Sequence, residues 1–127
     1  MAFEKENVSQ LSYDEVKNIF EQKKTSPILI DVRELEEYEE GHIPGIPLIP
    51  MSEIVDLVDE FKKDEEYVLV CRSGRRSHEV SKFFKSNGID NVHNYADGML
   101  GWEAEKTPGH EWVVEKVNEI YNRSDSK

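Results

Sequence analysis

The sequence predicts an α/β fold, because short, nearly unbroken apolar runs alternate with segments whose apolar residues recur at helical spacing. Two of the runs, residues 27–32 and Tyr67–Val70, carry too few polar side chains to face water, which points to strands buried on both faces of a parallel sheet. The elements follow in order. Ser12 and Glu15 have the spacing of a capping box, and Tyr13, Val16, Ile19 and Phe20 then share one helical face ahead of a stop at Lys23 and Lys24. Residues 27–32 supply the first central strand. Residues 34–40 make an acidic helical turn closed by Gly41, after which Pro44, Pro47 and Pro50 keep the connector extended. Ser52 is expected to cap a helix whose Ile54, Val55, Leu57, Val58 and Phe61 form a buried stripe, and Tyr67–Val70 is a second central strand ending at Cys71. Val80, Phe83 and Phe84 mark a helix stopped at Asn87 and Gly88, and residues 91–95 a short strand in which Val92 alternates with Asn94. Val113, Val117, Ile120 and Tyr121 predict a closing helix over about residues 110–122, with residues 124–127 frayed.

The chain of 127 residues fits one domain spanning 1–127, with a core over about residues 8–104. A net charge of -11 repels phosphate backbones and anionic lipid, so neither nucleic acid nor a membrane is an expected partner. No basic start, apolar leader or membrane-length apolar run is present, which predicts a cytoplasmic protein. The single cysteine forbids an intramolecular disulfide, so chemistry at that thiol needs a thiol from another molecule.

That cysteine stands where open α/β sheets place their ligands, beyond the carboxyl end of a strand. The segment Cys71, Arg72, Ser73, Gly74, Arg75, Arg76, Ser77 holds three of the chain's five arginines in an otherwise acidic protein. If it curls around the sulfur, backbone N–H groups and the next helix's positive end converge there, and Gly74 supplies the left-handed geometry such a turn needs. Those donors and charges would favour a nucleophilic thiolate. A lone intracellular cysteine is more commonly an inert buried hydrophobe; three neighbouring cations are what argue for function. His78, His93 and His110 show no ligand spacing, so no metal or other cofactor is expected, and His78 lies too far along its helix to serve Cys71.

Four ordered pieces resemble the rhodanese-like family over about residues 8–102: residues 31–34 after the first central strand, residues 40–45 in the connector, the Cys71 loop, and residues 98–102. The resemblance implies a central parallel sheet of about five strands with helices on both faces, plus the closing helix. It also implies that Cys71 accepts sulfane sulfur from a small anionic donor, thiosulfate or a persulfide, and passes it to cyanide or an external thiol, either low-molecular-weight or on a thioredoxin-like protein. Asp31 and Arg33 resemble the family's paired charges beside the loop, as an ion pair or donor rim, with a strand-end cap the alternative. His42 resembles a scaffold histidine of the turn at Pro44 and Gly45. Two positions depart from the pattern: Asp97 replaces the first glycine of a pair, and Glu37 stands where thiosulfate-using members often carry a basic residue, which weighs against thiosulfate as donor.

Two other classes compete. A cysteine phosphatase or arsenate reductase also sets a cysteine before a helix N-terminus, but needs five residues between cysteine and arginine; here that sixth position is Ser77, and the arginine comes one place early at Arg76. Arsenate reductases also need further cysteines. A non-catalytic interaction or sensor module on the same fold is the other alternative, against which Cys71 itself speaks.

Overall fold

The computed structural model describes residues 3–121. Five strands form one sheet: β1 (Phe3–Lys5), β2 (Val8–Leu11), β3 (Ile28–Asp31), β4 (Tyr67–Val70) and β5 (Val92–Tyr95), in the spatial order β1-β2-β5-β4-β3. β2, β5, β4 and β3 run parallel, with Tyr67 opposite both Ile28 and Val92. The parallel reading therefore holds for four strands. The fifth, β1, pairs antiparallel with β2 through a turn in which Glu6 and Asn7 both take positive φ. Neither β1 nor β2 is singled out by the sequence, since polar side chains interrupt both, Glu4 and Lys5 in β1 and Ser9 and Gln10 in β2.

Successive side chains of β3 and β4 enter opposite halves of the core, the mark of strands covered on both faces. Leu29, Val68 and Val70 pack with Val16 of α1 (Tyr13–Gln22), Tyr38 of α2 (Leu35–Glu40) and Trp102. Ile28, Ile30, Tyr67, Leu69 and Cys71 pack on the other side, with Ile54 of α3 (Met51–Ile54), Val80 and Phe84 of α4 (Arg75–Ser86), and Val117 and Ile120 near the end. α1 carries both bonds of its capping box, Ser12 to Glu15 and back, and ends at Lys23 in a left-handed cap.

Two expectations need correction. Ser52 does not cap a helix: α3 starts at Met51 behind Pro50, whose extended backbone suits the position before a helix, and the chain continues as a tighter 3-10 helix over Val55–Glu60. Ile54, Val58 and Phe61 are buried, but Val55 faces outward. The closing helix expected over residues 110–122 is also absent from the described residues, 110–121. The Leu48 N–H donates to the Trp112 carbonyl at 2.9 Å and the Val114 N–H to the Leu48 carbonyl at 3.1 Å, so this stretch lies extended beside residue 48. Only Val117–Tyr121 coils, as a 3-10 turn that buries Val117 and Ile120. The expected fraying of residues 124–127 lies outside the described residues. No helix among the described residues is long and apolar enough to cross a membrane.

Candidate active site

Cys71 follows β4 directly, and its side chain is fully buried. The chain behind it turns tightly into α4 because Gly74, at φ +89°, takes a conformation L side chains avoid; a Cβ there would come within 2.2 Å of the Ala96 carbonyl oxygen. Gly98 is under the same restriction, at φ +63° with its Cβ position 2.3 Å from the Arg72 carbonyl oxygen. Two glycines thus let the Cys71 loop press against the segment after β5. Backbone bonds fasten them together: Met99 N–H donates to the Cys71 carbonyl at 2.8 Å and Leu100 N–H to that of Arg72 at 2.9 Å.

Two donors reach the sulfur. The Gly74 N–H lies 3.1 Å from Sγ and the Ser77 hydroxyl 3.2 Å. The cradle of successive amides expected from the sequence is thus narrower, one backbone N–H and one side chain. The expected ring of arginines also opens up. Arg76 turns to Glu37 on α2, bonding both carboxylate oxygens at 2.8 Å, while Arg72 and Arg75 stand exposed with Ser73. The guanidinium beside it pushes the Glu37 carboxyl down to about 2, against an ordinary 4.5, and the carboxylate in turn raises Arg76 further.

The remaining predicted residues support rather than touch the sulfur. Asp31 and Arg33 form a buried ion pair, with Arg33 Nε and NH2 donating to the carboxylate at 2.9–3.2 Å and NH2 reaching the Gly41 carbonyl at 2.8 Å. Asp31 also accepts from the Arg33 backbone N–H at 3.0 Å, so ion pair and strand-end cap coexist. His42 is fully buried and stacked on Tyr38, with ring nitrogens bonded to the Tyr38 carbonyl at 2.8 Å and to Glu111 at 2.9 Å. Asp97, the unexpected residue before Gly98, accepts from the Tyr13 N–H at 2.9 Å and so satisfies a free amide in the first turn of α1.

Two clefts border the loop. One, of about 580 Å³, is lined by Ser73, Gly74, Arg75, Arg76, Met51 and Asn94 among others; the second, of about 240 Å³, by Arg33, Glu37, Arg72, Leu100 and Lys106. Sequence reasoning placed Ser77 in the loop but missed the polar side chains joined to it under the first cleft. Ser77 Oγ lies 2.5 Å from Asn94 Oδ1, Asn94 Nδ2 donates to Gln10 at 2.8 Å, and Gln10 Nε2 lies 3.0 Å from His78 Nδ1. His78, which does not touch Cys71, is linked to it through these bonds. Glu6, His78 and Glu79 bring ligand atoms within 4.8 Å of one another, the group among the described residues that could hold a metal ion. Lys82 already supplies positive charge there, 3.4 Å from Glu6 and 3.6 Å from Glu79.

A parallel sheet, a loop closing on a strand-end cysteine and a glycine-bound partner segment agree with the comparisons. The rhodanese-like domain family model matches residues 12–105. The chain belongs to the rhodanese-like family. YtwF of Bacillus subtilis, named as a candidate sulfurtransferase, is 46% identical over 80 residues, covering 63% of this chain and 77% of its own. A thiosulfate:glutathione sulfurtransferase of Saccharomyces cerevisiae is 29% identical over 109 residues, 76% of this chain and 78% of its own. Among solved structures, a rhodanese-like domain protein from Staphylococcus aureus superposes with a TM-score of 0.68 at 37% identity, over 79% of this chain and 97% of that one. At the level of the family, the activity is sulfurtransferase.

Proposed function

We propose that this rhodanese-like protein carries sulfane sulfur on Cys71, taking it from a small anionic donor and releasing it to an external thiol or cyanide. The observation that supports this reading best is the pair of donors, Gly74 N–H and Ser77 O–H, aimed at a sulfur that water does not reach. A buried group with two polar donors pointed at it is built for charge, since a neutral thiol needs neither.

In the first half-reaction the Cys71 thiolate attacks the outer sulfur of the donor. The donor's S–S bond breaks, and its inner part, sulfite when the donor is thiosulfate, leaves with the bonding electron pair. Cys71 then carries a persulfide whose charge sits on the outer sulfur. In the second half-reaction an acceptor thiolate attacks that atom, the acceptor becomes the persulfide, and the Cys71 thiolate returns. The steps balance with no oxidant, and with one cysteine in the sequence the second nucleophile comes from outside.

Arg72 and Arg75, exposed on the loop, steer the anionic donor; Arg76, bound to Glu37, contributes little net charge. Asp31, Arg33 and His42 hold the connector in place. The loop's length and the engagement of Arg76 argue against phosphate as substrate. Intact mass after incubation with thiosulfate or with glutathione persulfide tests the proposal. One added sulfur that disappears with cyanide and is absent from Cys71→Ala is expected, and an unchanged mass with both donors would overturn it.

A further inference from the structure

Ser77 owns one hydroxyl hydrogen and faces two acceptors. Its Oγ is 3.2 Å from Cys71 Sγ and 2.5 Å from Asn94 Oδ1. The conflict would vanish if Asn94 could turn its amide round, but its surroundings forbid that. Asn94 Nδ2 donates to the Gly74 carbonyl at 2.9 Å and to Gln10 Oε1 at 2.8 Å, and an oxygen in its place would face two oxygens. Gln10 is locked likewise, its Nε2 donating to the Val8 carbonyl at 3.2 Å and to His78 Nδ1 at 3.0 Å. His78 Nδ1 therefore accepts, and its ring hydrogen sits on Nε2, directed at Glu6 2.8 Å away. Ser77, Asn94, Gln10 and His78 are 0%, 2%, 3% and 6% exposed, so these bonds are almost wholly withdrawn from bulk solvent even though Gln10, His78 and Asn94 border the larger cleft. Among the described residues, the donor placed on Asn94 Oδ1 is the Ser77 hydroxyl.

We propose that Asn94 is a positioning residue that competes with Cys71 for the Ser77 hydrogen, and thereby sets how firmly the bare sulfur is held as an anion. The hydroxyl follows the charge. It turns to Sγ when that atom is a thiolate, because a bond to a charged acceptor is the stronger one. When a second sulfur is attached the charge moves outward, Sγ is neutral, and the hydrogen returns to Asn94. The buried amide therefore disfavours the unloaded thiolate and leaves the loaded state undisturbed. This last consequence rests on the sulfur-carrier reading above; the competition itself concerns the thiol alone.

The charged groups around the loop include Arg72, Arg75 and Arg76, Glu34 and Glu37 at α2, Glu40 and Lys106 in the smaller cleft, and the Asp31–Arg33 pair at the end of β3, with Glu6, Glu79 and Lys82 at the far end of the polar chain. Substitution of Asn94 changes none of them. The test is the pH profile of thiolate ultraviolet absorbance, read against Cys71→Ala controls so that the buried sulfur needs no reagent access. Sulfur-free wild type, Asn94→Ala, Ser77→Ala and the double variant are compared, each checked for cooperative urea unfolding. Asn94→Ala is expected to move the profile to lower pH by about one unit, the worth of one hydrogen bond to a charged group, and Ser77→Ala to move it up by about as much. The double variant should match Ser77→Ala alone, because Asn94 acts only through that hydroxyl. A folded Asn94 variant with an unmoved or raised profile overturns the proposal, as does an Asn94 effect that persists without Ser77. If Asn94→Ala does not fold, Asn94→Leu keeps the volume and is read the same way. A shifted profile in a protein that takes up no sulfur would uphold the competition and sink only the sulfur-carrier reading.

Discussion

The Arg76–Glu37 pair makes a prediction about donor choice. Glu37→Gln removes one negative charge from the loop's rim while keeping an oxygen for the Arg76 guanidinium and for the Glu34 N–H it accepts at 3.0 Å. The two side chains are 34% and 29% exposed, so the charge released acts through a largely aqueous medium. There, a pair of unit charges near contact is worth about 1 kcal/mol. Doubly charged thiosulfate should gain about 1 to 2 kcal/mol, which lowers its KM about five- to thirtyfold. A neutral organic trisulfide should gain almost nothing. Steady-state assays with both donors at low and high salt decide the matter, since the advantage for thiosulfate must shrink as ionic strength rises. The reasoning is refuted if KM for thiosulfate is unchanged, or if it falls equally for both donors and ignores salt.

The same pair makes a second prediction, about stability. The folded-state Glu37 carboxyl sits at about 2 against 4.5 when free, so it contributes stability that is complete above 4.5 and lost as pH falls towards 2; urea unfolding should show that loss, reduced in Glu37→Gln. Gly74→Ala places a methyl group 2.2 Å from a backbone oxygen at a positive φ, and is expected to cost at least about 2 kcal/mol in urea unfolding. Ile120→Ala should cost about 2–4 kcal/mol, because the short C-terminal turn fills the core beside α4; a cost below 1 kcal/mol would mean the segment only rests on the surface.

The central strands, α1, α4 and the position of Cys71 were legible because each depends on local signals: continuous apolar runs, a capping box, an Asn-Gly stop. The C-terminal segment misled for a physical reason. Val113, Val117, Ile120 and Tyr121 have helical spacing, but backbone bonds between Leu48 and residues 112 and 114 draw the chain out before it can coil, and those partners are more than sixty positions apart. The arginines misled similarly. Their number around Cys71 was visible, whereas the engagement of Arg76 depends on α2 docking against the loop. Asn94 carried a signal that went unused. A polar residue on a strand otherwise bound for the core must find buried partners, and two of them, Gln10 and Ser77, come from elements distant in sequence.

These assignments separate two tasks that a positively charged loop could have merged. Rim arginines act on a donor still in water, so their effect is long-ranged and screened by salt. Gly74 N–H and Ser77 O–H act at contact distance inside the core, where salt does not reach and where a missing donor leaves an anion unsatisfied. Changes at Arg72, Arg75 or Glu37 should therefore alter KM in a salt-dependent way that differs between donors. Changes at Ser77 or Asn94 should alter the rate of sulfur uptake alike for every donor, because what they change is the nucleophile.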